Sequence, residues 1–291
     1  MKLCFDATKF GAGLKESVEL AHQKGIPSLE FSFSPFSVSS KGALEVNKKE
    51  ETYLTSLKDL CAERDVEIAS INLEFEHQPG NKKSSQKFLA MLSKLVKVAN
   101  FLSCKRIGFH IEPGLDEEWK GAFEQDYKEM ITLMEPHQIK PVLRLSAPES
   151  RRGTSLKKWR AMEPQDWRDL LSSCEGLSLS FSPGDCLWLG IDYLAVLSHF
   201  ASAIENIEGA DVEIDREMLK DSGMYGPLWW RYRLVGKGKV DWAQLIELLK
   251  LYEFKGTFSL RFDDEFIYGD QAQMEDALDQ CIAKIAPLIK L

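Results

Sequence analysis

Two side chains that can do chemistry stand near the ends of predicted strands. His110 ends an apolar run at residues 106–111, and its imidazole makes it the best acid–base candidate among the five histidines. Arg261 lies in the run at residues 257–262, where a guanidinium can bind a carboxylate, a phosphate or a developing oxyanion through two N–H groups. The alternatives are a packed, hydrogen-bonded histidine and an arginine held in an internal salt bridge, because buried charges must be paired. The carboxylates considered as partners of Arg261 are Glu30, Glu74, Asp185 and Glu208.

Further polar side chains follow the run at residues 67–73, where Glu74, Glu76 and His77 stand close together. Three polar groups in one loop either line a pocket or form a solvated surface. We interpret Glu76 as solvated and retain Glu74 as a substrate-binding candidate. Arg144 lies in the apolar run at residues 141–146, on the same strand face as Ser146 but one layer deeper in the interior. It is expected to form a structural ion pair.

An aromatic and basic segment, Trp229-Trp-Arg-Tyr-Arg233, is predicted to belong to a long loop after the seventh strand. Flat aromatic faces suit the C–H groups of sugars, and arginine can bind hydroxyls or carboxylates. The alternative is that the tryptophans fix the loop to the barrel or to a second subunit. We expect Trp230 to face the site, with Arg231 as a further substrate-binding candidate.

The elements that must position these residues alternate regularly. Short apolar runs and amphipathic helical stretches succeed one another eight times along the chain. Such strands pair in parallel through crossovers, and eight units are the count of a closed barrel. The predicted fold class is therefore α/β, a (β/α)8 TIM barrel, in a single domain at residues 1–291. An open doubly wound sheet is the alternative, but Gly11-Ala-Gly13 is too short to be a dinucleotide fingerprint.

Composition restricts the partners. The net charge of −8 disfavours nucleic acid, because phosphate binding needs a basic surface. None of the six cysteines forms a Cys-x-x-Cys pair. The first residues show no apolar run typical of a signal peptide, and no segment reaches membrane-spanning length. We predict a reduced, cytoplasmic protein that binds neither nucleic acid nor membranes.

Three motifs near the end of the chain carry a resemblance. They are Trp229-Trp-Arg-Tyr-Arg233, the turn Gly236-x-Gly238-x-x-Asp241-Trp242, and Ser259-Leu-Arg261-Phe-Asp263-Asp264. They resemble the closing part of the sugar phosphate isomerase/epimerase family, the xylose isomerase-like TIM barrels that also include endonuclease IV-type enzymes. The resemblance implies a TIM barrel with a divalent metal held by two glutamates, an aspartate and a histidine.

The same resemblance indicates that the metal ligands are lost. At the aligned positions, the first glutamate is Ser146, the aspartate is Ser182, its histidine is Asp185 and the last glutamate is Arg261. A further histidine that often ends the seventh strand corresponds to the run that begins at Glu208. A serine hydroxyl is a poor ligand for a divalent cation, and a guanidinium has no lone pair to offer. We therefore predict no metal and no other cofactor.

Two functions follow from the resemblance. The first is an isomerase, epimerase or dehydratase acting on a small-molecule carbohydrate, with Arg261 in place of the metal. The second is an inactive relative that binds a sugar or supports an active partner subunit in a homo- or hetero-oligomer. DNA repair is disfavoured by the missing ligands and the negative charge. The catalytic candidates are His110, Asp185, Glu208 and Arg261. The substrate-binding candidates are Glu74, Ser146, Ser182, Trp230 and Arg231.

Overall fold

The structure is a computed structural model of the 291-residue chain. It describes residues 1–10, 13–33, 48–112, 118–145, 161–224, 226, 228–267 and 271–289. The strands are β1 (Lys2–Asp6), β2 (Ser28–Phe33), β3 (Glu67–His77), β4 (Arg106–Ile111), β5 (Lys140–Arg144), β6 (Ser178–Phe181), β7 (Ile204–Ile214), β8 (Trp230–Leu234) and β9 (Thr257–Leu260).

Helices follow the strands along the chain. They are α1 (Leu14–Lys24), α2 (Lys48–Arg64), α3 (Lys82–Phe101), α4 (Trp119–Met134), α5 (Pro164–Ser173), α6 (Pro183–Trp188), α7 (Tyr193–Phe200), α8 (Arg216–Ser222), α9 (Trp242–Leu251) and α10 (Gln271–Ile289). Among the helices of the described ranges, none combines the length and apolar character needed to cross a bilayer.

The strand order confirms the predicted fold class. The strands of the sheet follow one another as β6-β5-β4-β3-β2-β1-β9-β7-β8, and β6 also pairs with β7. Eight strands thus form the closed parallel barrel of a (β/α)8 TIM fold, and β8 is an addition that pairs antiparallel with β7. In such a fold, the carboxyl ends of the strands and the loops after them carry the functional groups.

Contacts divide the chain into two compact units that are interleaved in sequence. The first unit contains β1, the end of β6 from Ser180 onward, β7, β8, β9 and helices α6 to α10. An aromatic cluster packs within it, where the ring of Phe10 lies 5.1 Å from that of Phe5 and 4.9 Å from that of Phe262. The second unit contains β2 to β5 and helices α1 to α5.

Two sequence-based assignments need correction. The segment around Trp230, predicted as a loop, is strand β8. Its residue Trp230 pairs with Ile214 of β7. Its apolar residues are buried and its arginines partly exposed in strict alternation, which is the pattern of a half-buried strand. The third strand also extends beyond residue 73 to His77, so Glu74 lies within a strand.

His77 has a packing role in the second unit. Its ring stacks on Phe88 at 4.2 Å between centroids, and its Nε2 atom lies 2.9 Å from Oδ2 of Asp126 in α4. The side chain is completely buried. His77 therefore joins β3 to the helices that cover it and does not belong to a solvated loop.

Candidate functional site

A cluster of charged side chains surrounds Arg261, just beyond the end of β9. Its Nη1 atom lies 3.3 Å from Oδ2 of Asp6 and 3.7 Å from Oε2 of Glu208. Its Nε donates to Oδ2 of Asp263 at 3.2 Å. The arginine side chain is 12% exposed and each carboxylate side chain 8% or less. Solvent therefore screens these charges poorly. We call these four residues the Arg261 cluster.

Strand register explains how the Arg261 cluster forms. Cys4 of β1 and Glu208 of β7 both pair with Ser259 of β9. Paired residues on neighbouring strands point to the same face of a sheet, and so do residues two positions apart on one strand. Asp6 and Arg261 therefore project on the same side as Glu208. The parallel pairing of β1, β9 and β7 brings together three charges that are far apart in the sequence.

A chain of hydrogen bonds supports Glu208 from below. The hydroxyl of Thr257 donates to Oδ1 of Asn206 at 2.7 Å, and Nδ2 of Asn206 donates to Oγ of Ser180 at 2.9 Å. The hydroxyl of Ser180 in turn donates to Oε1 of Glu208 at 2.9 Å. All four side chains are buried. One carboxylate oxygen of Glu208 is thus oriented by the barrel interior, while the other faces Arg261.

Asp185 belongs to a second buried cluster in the same unit. Its carboxylate accepts hydrogen bonds from the hydroxyl of Ser182 at 2.5 Å, from Nε1 of Trp188 at 3.0 Å and from the hydroxyl of Tyr232 at 2.7 Å. Ser182 is also the N-cap of α6. Asp185 and Ser182 therefore hold α6 against β8. Burial, and next the negative charge of Asp185, raise the pKa of Tyr232 well above its ordinary value, so its phenol remains a hydrogen-bond donor at neutral pH.

We expect Tyr232→Phe to lower the free energy of unfolding by about 2 kcal/mol, because it removes a donor from a buried carboxylate. Tyr127→Phe is the control, since the Tyr127 hydroxyl donates to a neutral backbone oxygen, that of Glu175, at 2.8 Å, and its loss is expected to cost about 1 kcal/mol. Urea unfolding followed by circular dichroism measures both. Equal losses of unfolding free energy in the two variants would contradict a charge-assisted hydrogen bond between Tyr232 and Asp185.

The raised pKa of Tyr232 also sets a pH dependence. In the unfolded chain this phenol ionises near the ordinary tyrosine pKa of about 10, whereas in the folded chain it stays protonated to higher pH. The contribution of Tyr232 to stability is therefore fully present below that value and is lost as the pH rises above it.

Trp230 does not offer an open face to a ligand. It is 7% exposed, and its ring stacks on Trp188 at 4.5 Å between centroids with an interplanar angle of 2°. Arg231 points to the outer side of β8, where its Nη2 donates to Oε1 of Glu213 at 2.8 Å. Of the two substrate-binding candidates in β8, Arg231 is the more accessible.

The second unit holds His110 and Glu74. His110, which is 9% exposed, lies in β4 and pairs in register with Glu76 of β3. Glu74 accepts a hydrogen bond from the hydroxyl of Ser32 at 2.6 Å, and its Oε1 lies 3.6 Å from Nη1 of Arg144. This contact is the ion pair expected for Arg144.

Gly108 makes room for the buried polar side chains of the second unit. A Cβ atom at this position of β4 would lie 2.1 Å from Oδ1 of Asn72 and 3.2 Å from Cδ of Arg144. Any larger residue there would displace the side chain of Asn72 and crowd that of Arg144, which pairs with Glu74.

The turn that carries the sequence resemblance is held by Asp211. Its Oδ1 atom accepts the backbone N–H groups of Val212 and Val240 at 2.9 and 3.0 Å. Its Oδ2 atom accepts the N–H of Gly236 at 3.0 Å and Nε1 of Trp242 at 2.9 Å. Asp211 is completely buried, so the Gly-x-Gly-x-x-Asp-Trp motif is organised around one structural carboxylate.

The structure thus places the predicted residues in several environments. Arg261 and Glu208 come together, Asp185 and Ser182 form a separate cluster with Trp230 next to it, and Ser146 lies outside the described residues. The sequence analysis did not identify Asp6 or Ser180, because their place beside Arg261 and Glu208 depends on how distant strands pair. A charged residue at the end of the first strand was the available signal for Asp6.

The carboxylates of these clusters are not arranged as a metal centre. Within the ranges that the structure describes, there is no group of three or more histidine, cysteine, aspartate or glutamate side chains placed to hold a metal ion. A guanidinium lies at the centre of the Arg261 cluster, and three donors already bond to the carboxylate of Asp185.

Comparison with known proteins identifies a family model and related folds. The model described as xylose isomerase-like TIM barrel matches residues 18–284. A curated relative, the uncharacterized protein YfiH of Bacillus subtilis (strain 168), is 26% identical over 98 residues, which are 30% of this chain and 31% of that protein. The match therefore spans less than a third of that relative's length.

Solved structures share the fold over nearly the whole chain. The IOLI protein with a binding zinc atom has a TM-score of 0.73 at 17% identity, covering 99% of this chain and 98% of that one. The 3-keto-D-glucoside 4-epimerase YcjR from E. coli, in its apo form, has a TM-score of 0.68 at 11% identity, covering 97% and 99%. At such identities the likeness concerns the fold alone.

Proposed function

The chain belongs to the xylose isomerase-like TIM barrel family, and from this membership we propose that it binds a carbohydrate or sugar derivative at the carboxyl ends of β1, β7 and β9. The observation that carries this proposal is the buried Arg261 cluster, which lies where TIM barrels place their functional groups. Similarity to a sugar epimerase fold adds support. We also propose a cytoplasmic location, in keeping with the six free cysteines.

The chemistry of the Arg261 cluster favours a polyhydroxyl ligand over an anion. Guanidinium N–H groups donate hydrogen bonds, and the oxygens of Asp6, Glu208 and Asp263 accept them. A sugar hydroxyl does both, so it can bridge an arginine and a carboxylate. The three carboxylates repel a phosphate or a sugar acid and already compete for Arg261. We therefore propose a neutral sugar or polyol as the ligand class.

We further propose that the protein works without the family's divalent metal. The aligned donor set does not suit one, because the cation at its centre is the guanidinium of Arg261. The Asp185 carboxylate, which aligns with a family histidine, is engaged by Ser182, Trp188 and Tyr232. Three donors on one buried carboxylate leave it poorly placed to coordinate an ion.

Proton transfer beside a sugar carbonyl is the reaction that this arrangement suits best. Glu208, oriented by Ser180, would remove a proton, and Arg261 would stabilise the developing oxyanion. A second candidate is an inactive protein that binds a sugar or supports a partner subunit. The internal ion pairs of Arg261 favour this alternative, because they occupy groups that catalysis would need.

The decisive experiment follows D-xylose, L-ribulose and D-glucose with the purified protein in deuterated water by NMR. We expect saturation transfer to at least one sugar, with deuterium incorporation beside its carbonyl if the protein is an enzyme. Binding without incorporation would select the inactive alternative. No binding of any sugar would overturn the proposed function. If elemental analysis found a stoichiometric divalent metal, the proposal that the protein works without one would be overturned.

A further inference from the structure

Phe266 is an unusually exposed aromatic residue in the segment that leaves β9. Its side chain is 62% exposed, although most aromatic rings in the described chain are buried. A single exposed ring needs no explanation by itself, so the groups that surround Phe266 decide whether it can bind a ligand. The same exit segment carries Asp263, which contacts Arg261.

Two guanidinium groups lie against the Phe266 ring. The Cζ atoms of Arg231 and Arg233 are each 4.9 Å from the ring centroid. Each guanidinium has five N–H donors, and the described ion pairs use one from Arg231, to Glu213, and two from Arg233, to Glu213 and Asp264. In the described part of the chain, N–H donors of both arginines therefore remain beside the exposed ring.

The positions of these groups are fixed by Asp264. Its Oδ2 atom accepts the N–H of Leu234 at 2.9 Å and Nε of Arg233 at 3.0 Å, and its Oδ1 accepts the N–H of Phe266 at 3.0 Å. Asp264 is 2% exposed. The exit segment is thus tied to β8, which itself pairs with β7. Such preorganisation lowers the entropy cost of ligand binding.

We propose that Phe266, Arg231 and Arg233 form a sugar-binding platform. The exposed part of the ring, beside the two guanidinium groups that lie over it, contacts the C–H face of a neutral sugar, and the guanidinium groups donate to its hydroxyls. Glu213 and Asp264 balance the two positive charges, so the platform suits an uncharged ligand. The platform rests on the proposed function and names Phe266, in place of the buried Trp230, as the aromatic residue that contacts the sugar.

The test compares Phe266→Ala and Phe266→Leu with Phe266→Trp in saturation-transfer titrations with D-xylose, L-ribulose and D-glucose. Alanine and leucine are expected to weaken binding of the recognised sugar about fivefold, whereas tryptophan, which keeps a flat face, retains it. Leu251→Ala is the matched control, because Leu251 is 71% exposed in α9 and its loss leaves affinity unchanged. Light scattering on each variant records the molecular mass.

The outcomes separate the two proposals. Unchanged affinity in Phe266→Ala, with a wild-type protein that binds sugar, would overturn the platform and leave the proposed function standing. No sugar binding by the wild-type protein would overturn both. A drop in molecular mass in Phe266→Ala without loss of affinity would assign the ring to a subunit contact and would also overturn the platform.

Discussion

Replacement of Asp211 by alanine is expected to lower the free energy of unfolding by about 4 kcal/mol or more. The variant leaves four N–H donors without their acceptor, those of Val212, Gly236, Val240 and Trp242. Each buried donor left unsatisfied costs about 1–3 kcal/mol, and relaxation of the turn recovers part of that sum. Urea unfolding monitored by tryptophan fluorescence gives the value.

Asp215→Ala is the control for Asp211→Ala. The Asp215 carboxylate also accepts two backbone N–H groups, at 3.1 and 3.0 Å, but as the N-cap of α8 near solvent. Its loss is expected to cost about 1 kcal/mol. If the two alanine variants lost the same stability, the central role of Asp211 in the turn would be refuted.

Gly238→Ala tests the same turn without removing a hydrogen-bonding group. A Cβ atom there would lie 2.4 Å from both Oδ1 of Asp211 and the carbonyl oxygen of Val212, so the turn must open. Gly121→Ala in α4 is its counterpart, since a Cβ there meets nothing within 4 Å. We expect the first to destabilise the protein and the second to stabilise it by up to about 1 kcal/mol.

The turn around Asp211 contains both contacts that a sequence motif can predict and contacts that it cannot. The turn and the cap of α9 depend on residues close in sequence, and aspartate is among the preferred N-cap residues. Asp241 caps α9 by accepting the N–H of Gln244. The partner of the Asp241 backbone N–H is the hydroxyl of Tyr193. No local pattern reveals a contact between residues that distant, since it depends on how α7 packs.

The barrel itself was predictable from the alternation of strands and helices, but β8 was missed. The alternation Trp230-Arg-Tyr-Arg-Leu234 has the period of a strand, but its aromatic and basic side chains also suit a binding loop, so composition alone does not decide between the two. The Arg261 cluster was predicted in part. Its pairing of Arg261 with Glu208 was among the alternatives, whereas Asp6 requires the register of β1 against β9.

Replacement of Arg261 by methionine is expected to lower the free energy of unfolding by about 3–5 kcal/mol, since it leaves buried carboxylates without their cation. Asp6, Glu208 and Asp263 then face one another with no intervening positive charge. Binding of the recognised sugar is expected to disappear with it. Urea unfolding and saturation-transfer NMR measure the two effects. Arg64→Met, which breaks the partly exposed ion pairs of Arg64 with Glu19 and Glu63, is expected to change stability far less.

Two further variants separate the effect of Arg261 on stability from its effect on sugar binding. Glu208→Gln in the Arg261→Met background removes one of the stranded charges, so the double variant is expected to recover about 1–3 kcal/mol relative to simple additivity. Arg261→Lys keeps a positive charge but loses the planar fork. It therefore retains more stability than Arg261→Met and still binds sugar poorly. If Arg261→Met bound sugar as the wild-type protein does, the guanidinium would be a structural counterion, and the carboxylates of Asp6, Glu208 and Asp263 would have no ligand to share with it.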